Sequence, residues 1–134
     1  MLTDTGPLVA ILNKNDPDYK RCRDFTAKLS EPLFTTWPVL AEAMHLLYNY
    51  DGWRGQRHLL DMILDGDLIP RPLELMHLDR IRVLMDKYHD VPMDFADASL
   101  VALAESLNTA RIFTLDNDFR IYRLHNSQPF EIAP

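Results

Sequence analysis

The chain has 134 residues, of which 47% are apolar and 25% charged, and these values predict one globular domain over residues 1–134. It has no apolar run long enough to span a membrane, no secretory leader pattern, and a single Cys22, which excludes an internal disulfide framework and a cysteine zinc site. We therefore expect a cytoplasmic protein, whose net charge of −6 argues against tight, unspecific nucleic-acid binding unless divalent cations offset part of it.

Short apolar runs alternate along the chain with longer segments in which apolar residues recur at helical spacing. In chain order the pattern predicts a strand at 1–3, helices at 6–12 and 18–29, a strand at 33–35, helices at 38–50 and 54–64, a strand at 68–70, helices at 73–89 and 94–107, a strand at 111–115 and an edge strand at 130–132. Thr36 is expected to cap the helix after it, Gly52 to separate the two central helices, and Asn108 to end the helix before it.

This alternation is typical of an α/β fold, and we predict a three-layer α/β/α sandwich with a short central parallel sheet. Ligands of open parallel sheets bind outside the carboxyl ends of the strands. Asp4 and Asp116 each follow a predicted strand directly. The sequence therefore predicts that these two side chains lie at the same edge of the sheet.

Four acidic residues stand at the ends of apolar runs or in the turns of predicted helices: Asp4, Glu42, Asp97 and Asp116. Carboxylates are costly to gather in such settings unless a cation neutralises them. If the four converge, the expected product is a site for a hard divalent metal. The natural chemistry of such a site is phosphodiester hydrolysis.

Three of the four also have an ordinary structural explanation. Asp4 is placed to cap the first helix, and Asp97 stands three residues after Asp94, in the first turn of a helix that Asp94 would cap. One of Asp116 and Asp118 is expected to be a turn residue. Asp116 is the preferred ligand because it is closer to the strand end.

Glu42 lies on a helix face that helical spacing shares with Val39, Leu46 and Tyr50. An apolar face is a poor place for an idle charge, which favours a functional role for Glu42. The hydroxyl of Thr5, next to Asp4, is placed to contact metal-bound water or phosphate.

Other catalytic patterns are missing from the sequence. The histidines show no metal-ligand spacing, the serines form no nucleophile elbow, and there is no glycine-rich phosphate loop. The rings of Trp37, Tyr48, Tyr50 and Trp53 could stack on nucleobases, although helix packing is the commoner role of such residues.

The chain resembles the PIN-domain nucleases, in particular the VapC-like toxin ribonucleases of bacterial type II toxin–antitoxin pairs. The resemblance runs nearly end to end and is carried by LTDTGPL at residues 2–8, LAE at 40–42, DFADASLVALA at 94–104 and FTLDNDF at 113–119. The sequence departs from the family at Tyr19, where a histidine is frequent, and residues 52–72 match no motif.

The resemblance implies a parallel sheet between helices and an acidic pocket that binds Mg²⁺ or Mn²⁺. By position, the acidic quartet of the family corresponds to Asp4, Glu42, Asp97 and Asp116. Asp118 matches a further acidic position, and Thr5 a hydroxyl position close to the metal. One or two ions would be held by Asp4, Asp97 and Asp116, with Asp118 as an additional candidate. Glu42 would bind a second ion or orient the attacking water.

The resemblance also implies the substrate and the partners. Members of the family cleave single-stranded RNA or exposed RNA loops, toxin members commonly form homodimers, and an antitoxin protein silences them through a tail that enters the pocket. We therefore expect a metal-dependent endoribonuclease that acts as the toxin of such a pair.

Two alternatives compete with this expectation. A haloacid-dehalogenase-type phosphatase needs a second Asp two places after Asp4, and Gly6 stands there instead. A PIN-like module that binds RNA or protein without turnover is the remaining alternative, and metal binding is the property that separates it from a nuclease.

Overall fold

Short strands and five helices make up the computed structural model, which describes all residues from Met1 to Pro134. The strands are β1 (Leu2–Thr3), β2 (Leu33–Thr36), β3 (Leu68–Arg71), β4 (Arg111–Phe113), β5 (Arg123–Leu124), β6 (Gln128–Pro129) and β7 (Glu131–Ala133). The helices are α1 (Thr5–Leu12), α2 (Tyr19–Thr26), α3 (Trp37–Leu64), α4 (Leu75–Lys87) and α5 (Phe95–Leu107).

Five of the strands form one parallel sheet in the order β3-β2-β1-β4-β7, and β5 and β6 form a separate antiparallel pair. Helix α1 packs against both α2 and α3, and α4 packs against α5. Right-handed crossovers place the first group on one face of the sheet and the second group on the other. The predicted α/β/α sandwich is confirmed.

The strand order reverses at β1. The chain leaves β1 towards β2 and β3 on one side and returns to β4 on the other side. Leu2 pairs with both Phe34 and Ile112, and the backbone N–H of Asp4 donates to the carbonyl of Phe113 at 3.0 Å. The residues that follow β1 and β4 therefore meet at a topological switch point, where α/β sheets bind their ligands.

Local signals explain where the helices begin and end. Asp4 caps α1, and Asp94 caps α5 through a 2.8 Å hydrogen bond from the backbone N–H of Asp97. Asn108 ends α5 in the left-handed conformation, as predicted. Helix α3 is broken at Asp51 and Gly52, which matches the two helices that the sequence predicts on either side of Gly52.

Several boundaries differ from the prediction. The second helix covers Tyr19–Thr26 rather than 18–29, and α4 begins only at Leu75, because the Glu74 and His77 side chains form a capping box there. Thr36 precedes α3 without capping it. Its hydroxyl instead lies 2.6 Å from the Ser99 hydroxyl, where both are buried. The β5–β6 pair and the short 3₁₀ helix at Asn117–Arg120 were not predicted.

The buried core contains 31 apolar residues and continues across the sheet. Helix α5 is buried along nearly its whole length, from Ala96 to Ala104. No helix in the structure combines the length and the apolar character needed to cross a membrane.

A charged pair joins α4, α5 and the loop of the β5–β6 hairpin. Arg80 donates from Nε and Nη2 to the two carboxylate oxygens of Glu105, both at 2.8 Å, and from Nη2 to Asn126 at 2.9 Å. The backbone N–H of His125 also donates to Glu105 at 3.0 Å. The Glu105 side chain is only 11% exposed, so loss of Arg80 leaves a largely buried charge poorly paired.

We predict that Arg80→Met lowers the free energy of unfolding by about 1.5–3 kcal/mol, the usual contribution of hydrogen bonds to a charged group. Arg82→Met is the matched control, because Arg82 is 81% exposed and its contact with Asp79 is 3.7 Å long. Urea unfolding of the two variants measures the difference. Equal, small losses would mean that the Arg80 pair behaves as an ordinary surface ion pair.

Candidate functional site

Two carboxylates are buried at the carboxyl edge of the sheet. Asp4, between β1 and α1, is 6% exposed, and Asp97, in the first turn of α5, is 8% exposed. Neither forms an ion pair with a Lys or Arg side chain. Such burial without a cationic partner is costly and is the strongest sign of function at this edge.

Both oxygens of Asp4 are held in place. Oδ1 accepts the backbone N–H of Thr5 at 2.7 Å, and Oδ2 accepts the hydroxyl of Thr114 at 2.8 Å. Burial raises the pKa of Asp4 to about 6, and the charges of Asp116 and Glu42 add to this rise, while the two hydrogen bonds oppose it.

Asp97 is held from the opposite side. Its Oδ2 accepts the hydroxyl of the fully buried Tyr122 at 2.9 Å, and its Oδ1 has no protein donor. Burial raises the pKa of Asp97 to about 8, the Asp94 and Asp4 carboxylates raise it further, and the Tyr122 hydrogen bond opposes the rise. Burial and the Asp97 charge also raise the pKa of Tyr122, so its hydroxyl remains a donor.

The other predicted carboxylates surround this buried pair at the surface. Glu42 is exposed and accepts the hydroxyl of Thr5 at 3.0 Å. Asp116 is exposed, and its carboxylate accepts the backbone N–H of Asp118 at 2.9 Å. Desolvation and the charges of Asp116 and Asp94 raise the pKa of Asp118.

The structure thus places Asp4 and Asp97 within electrostatic range of each other and of Asp116, and Asp4 also within range of Glu42. The charges of Glu42 and Asp116 raise the pKa of Asp4, and those of Asp4 and Asp116 raise the pKa of Asp97. The capping role considered for Asp4 is also real, because Asp4 caps α1. Asp116, considered as a turn residue, caps the short 3₁₀ helix. For Asp4, capping engages one oxygen only.

The surroundings of Glu42 differ from the expectation. Val39 is buried, but Leu46 and Tyr50 are 41% and 37% exposed. This face of α3 is therefore open to solvent at Glu42, and burial gives no argument for its role. Its hydrogen bond to Thr5 is the contact that joins it to the site.

Sequence reasoning missed Thr114 and Tyr122. Thr114 stands two residues before Asp116 and contacts both Asp4 and the backbone N–H of Asp116, so a hydroxyl at a strand end was the available signal. Tyr122 had no such signal, because it lies 25 residues from Asp97 in an unpredicted segment.

The donor set consists of carboxylate and hydroxyl oxygens, which hard cations prefer. No group of three or more Asp, Glu, His or Cys side chains is arranged so that it could hold a metal ion. Mg²⁺ usually keeps several waters and binds through one or two carboxylates. The chemistry of these oxygen donors fits such an ion, and Asp4 and Asp97 are the buried side chains that could hold it.

Comparison with known proteins gives a sequence family and two similar folds. The sequence model of the PIN domain family matches residues 1–124. The crystal structure of Mycobacterium tuberculosis VapC20, described as a sarcin–ricin-loop-cleaving toxin, has a TM-score of 0.85 at 18% identity, covering 96% of this chain and 98% of that one. The structure of VapBC2 from Rickettsia felis, bound to a fragment of its promoter DNA, has a TM-score of 0.64 at 17% identity, covering 98% and 96%.

At these identities the two structures establish a shared fold. No curated protein matches the sequence.

We predict that the protein becomes less stable as the pH rises from about 5 to about 8 in EDTA. The folded-state pKa values of Asp4 and Asp97, about 6 and about 8, exceed the ordinary value of 3.8, so the folded state binds more protons than the unfolded state in this window. Urea unfolding across this range measures the trend, and Asp97→Asn should flatten it. Stability that rises with pH in the unmodified protein would contradict the assignment.

We also predict that Tyr122→Phe raises the pKa of Asp97 further, because the donor that stabilises its ionised form is removed. Tyr88→Phe is the matched control, since the Tyr88 ring packs on Tyr122 with centroids 5.1 Å apart while its hydroxyl bonds to the Arg123 backbone. Titration of the side-chain carboxyl ¹³C resonances by NMR distinguishes the two. The same Asp97 pKa in both variants would show that the hydrogen bond has no effect.

Proposed function

The chain belongs to the PIN domain family, and from that premise we propose that it is a metal-dependent endoribonuclease, the toxin of a toxin–antitoxin pair. The observation that carries the proposal is the pair Asp4 and Asp97, buried without a cationic partner at the switch point of the sheet. The fold shared with VapC20, a toxin that cleaves the sarcin–ricin loop, supports RNA as the substrate.

The proposed ion is Mg²⁺ or Mn²⁺, held by Asp4 and Asp97 with Asp116 close by and Asp118 as a further candidate. When bound, a divalent ion lowers the pKa of a water ligand and polarises the phosphate. The chain prepares the site for it, because Thr5 and Thr114 fix both oxygens of Asp4 and Tyr122 fixes one oxygen of Asp97.

Thr5 and Glu42 complete the proposed mechanism. The Thr5 hydroxyl holds one carboxylate oxygen of Glu42 at 3.0 Å, next to Asp4. Glu42 is exposed, so it can contact the water that enters from solvent and orient it towards the phosphate. The low-dielectric surroundings of Asp4 and Asp97 strengthen their attraction for a cation relative to water.

The proposed partners follow from the same charges. An acidic site in a chain of net charge −6 attracts a basic segment, which suits an antitoxin that places Lys or Arg among the carboxylates. A homodimer belongs to the same proposal. Helix α4 offers apolar side chains for it, with Leu75 84% and Met76 72% exposed.

A binding module without turnover is the competing function. One observation favours it, because no three side chains are arranged so that they could hold a metal ion. Such a module would keep the fold and the acidic edge but would not need a divalent cation.

We predict that the protein cleaves members of a panel of labelled RNAs with Mn²⁺ or Mg²⁺ and not with EDTA. Asp97→Asn and Asp4→Asn should each reduce cleavage by more than about 100-fold, the upper end for residues that only orient a metal ligand. Asp90→Asn is the control, because that side chain is 91% exposed and outside the site.

Circular dichroism confirms that each variant is folded. Activity that persists in EDTA or in both site variants would rule out the proposed metal mechanism. Well-folded protein that neither cleaves the panel nor binds Mn²⁺ would establish the binding module instead.

A further inference from the structure

An open groove of about 670 Å³ lies between the first turns of α3 and α5, beside the carboxylates. We call it the aromatic groove; its lining consists of Trp37, Phe95 and Asp94 together with the smaller apolar residues Pro38, Ala41, Leu73 and Ala96. Its volume is within the range of small-molecule sites.

Two aromatic rings line this groove without being buried in the core. Trp37 is 59% exposed and Phe95 is 46% exposed. Each is the first residue of its helix. Side chains of helical residues tilt towards the helix N-terminus, so both rings project towards the carboxyl edge of the sheet. Core packing therefore does not account for either ring.

The groove adjoins the candidate site through Asp94. Ala41 precedes Glu42 and Ala96 precedes Asp97 in the chain, and Asp94 lines the groove while its Oδ1 accepts the backbone N–H of Asp97 at 2.8 Å. Because Asp94 belongs to both, a ligand with its phosphate at the carboxylates could place a neighbouring group in the groove.

The chemistry of the lining selects the kind of group. Trp37 and Phe95 offer aromatic faces, no Lys or Arg lines the groove, and Asp94 is its only charged residue. A phosphate would be repelled there, whereas a neutral nucleobase can stack on the rings. Unpaired bases of RNA are the ones free to do so.

Asp94 adds a preference among the bases. Its Oδ1 caps α5, and its Oδ2 has no protein donor. A carboxylate oxygen accepts a hydrogen bond from the exocyclic amino group of a base such as cytosine. Uracil has the O4 carbonyl at that position, and two acceptor oxygens form no hydrogen bond with each other.

We propose that the aromatic groove is a nucleobase subsite. In it, an unpaired base next to the scissile phosphate stacks on Trp37 and Phe95, and its amino group donates a hydrogen bond to the Asp94 carboxylate. This inference rests on the proposed ribonuclease function and specifies which contacts bind a base of its RNA substrate.

The two tryptophans of the chain provide the test. With Trp53→Phe as background, indole fluorescence reports on Trp37 alone. Glu42→Gln should slow cleavage while it leaves Asp4 and Asp97 in place to hold Mg²⁺. The probes are single-stranded oligocytidine and oligouridine of equal length and an abasic oligonucleotide, each titrated with Mg²⁺ present. We expect saturable quenching by oligocytidine, weaker binding of oligouridine and no quenching by the abasic chain.

Variants of the groove sharpen the test. Phe95→Ala should weaken oligocytidine binding about tenfold, which corresponds to about 1.4 kcal/mol of stacking. Leu64→Ala, which truncates a side chain 83% exposed at the far end of α3, should leave binding unchanged. Asp94→Asn should shift the preference towards oligouridine, because the amide can donate to the uracil carbonyl.

Some outcomes would overturn the subsite. The first is that the abasic chain quenches the fluorescence as strongly as oligocytidine does. The second is that Phe95→Ala leaves oligocytidine binding unchanged. The third is that a basic apolar peptide quenches the fluorescence and no oligonucleotide does. RNA cleavage by Trp37→Ala with unchanged kcat/KM and sequence preference would also refute it while leaving the ribonuclease intact. Base-dependent quenching in a protein that cleaves no RNA would support the subsite and reject the ribonuclease.

Discussion

The burial of two carboxylates with no cationic partner is the constraint on which the rest of the site depends. Asp4 and Asp97 come from a strand end and a helix start that only the parallel sheet brings together. Burial raises the pKa of both side chains, and the Asp4 charge raises that of Asp97 further, so the folded chain carries a local electrostatic cost. A bound divalent cation, or a basic side chain from a partner, would remove that cost and leave the fold unchanged.

Hydrogen bonds to these carboxylates control their orientation more than their charge. Thr114 and Tyr122 stabilise the ionised forms, yet burial outweighs them and both pKa values stay raised. The same two residues connect the site to β4 and to the segment before β5. The otherwise unremarkable segment after β4 is therefore part of the site, because it supplies the buried donor that fixes Asp97.

Local patterns predicted the sheet and most helices because strong signals coincide at their ends. Caps at Asp4 and Asp94, the break at Gly52 and the stop at Asn108 each act over a few residues, and such effects are readable from sequence. The β5–β6 hairpin was missed because its two short strands, Arg123–Leu124 and Gln128–Pro129, form no apolar run. Tyr122 was missed because its partner comes from a distant helix, and the exposure of Glu42 was misjudged because helical spacing does not reveal which face is covered.

An acidic protein that is proposed to bind RNA needs a source of affinity other than phosphate contacts. Lys and Arg contacts to phosphate make binding strong, unspecific and salt-dependent, and no Lys or Arg lines the groove or pairs with Asp4 or Asp97. Stacking on Trp37 and Phe95 is insensitive to charge and acts on single bases. A cation at Asp4 and Asp97 would engage only the phosphate at the cleavage point. Together these two contacts favour a short, unpaired stretch of RNA over a duplex, since a paired base is not free to enter the groove.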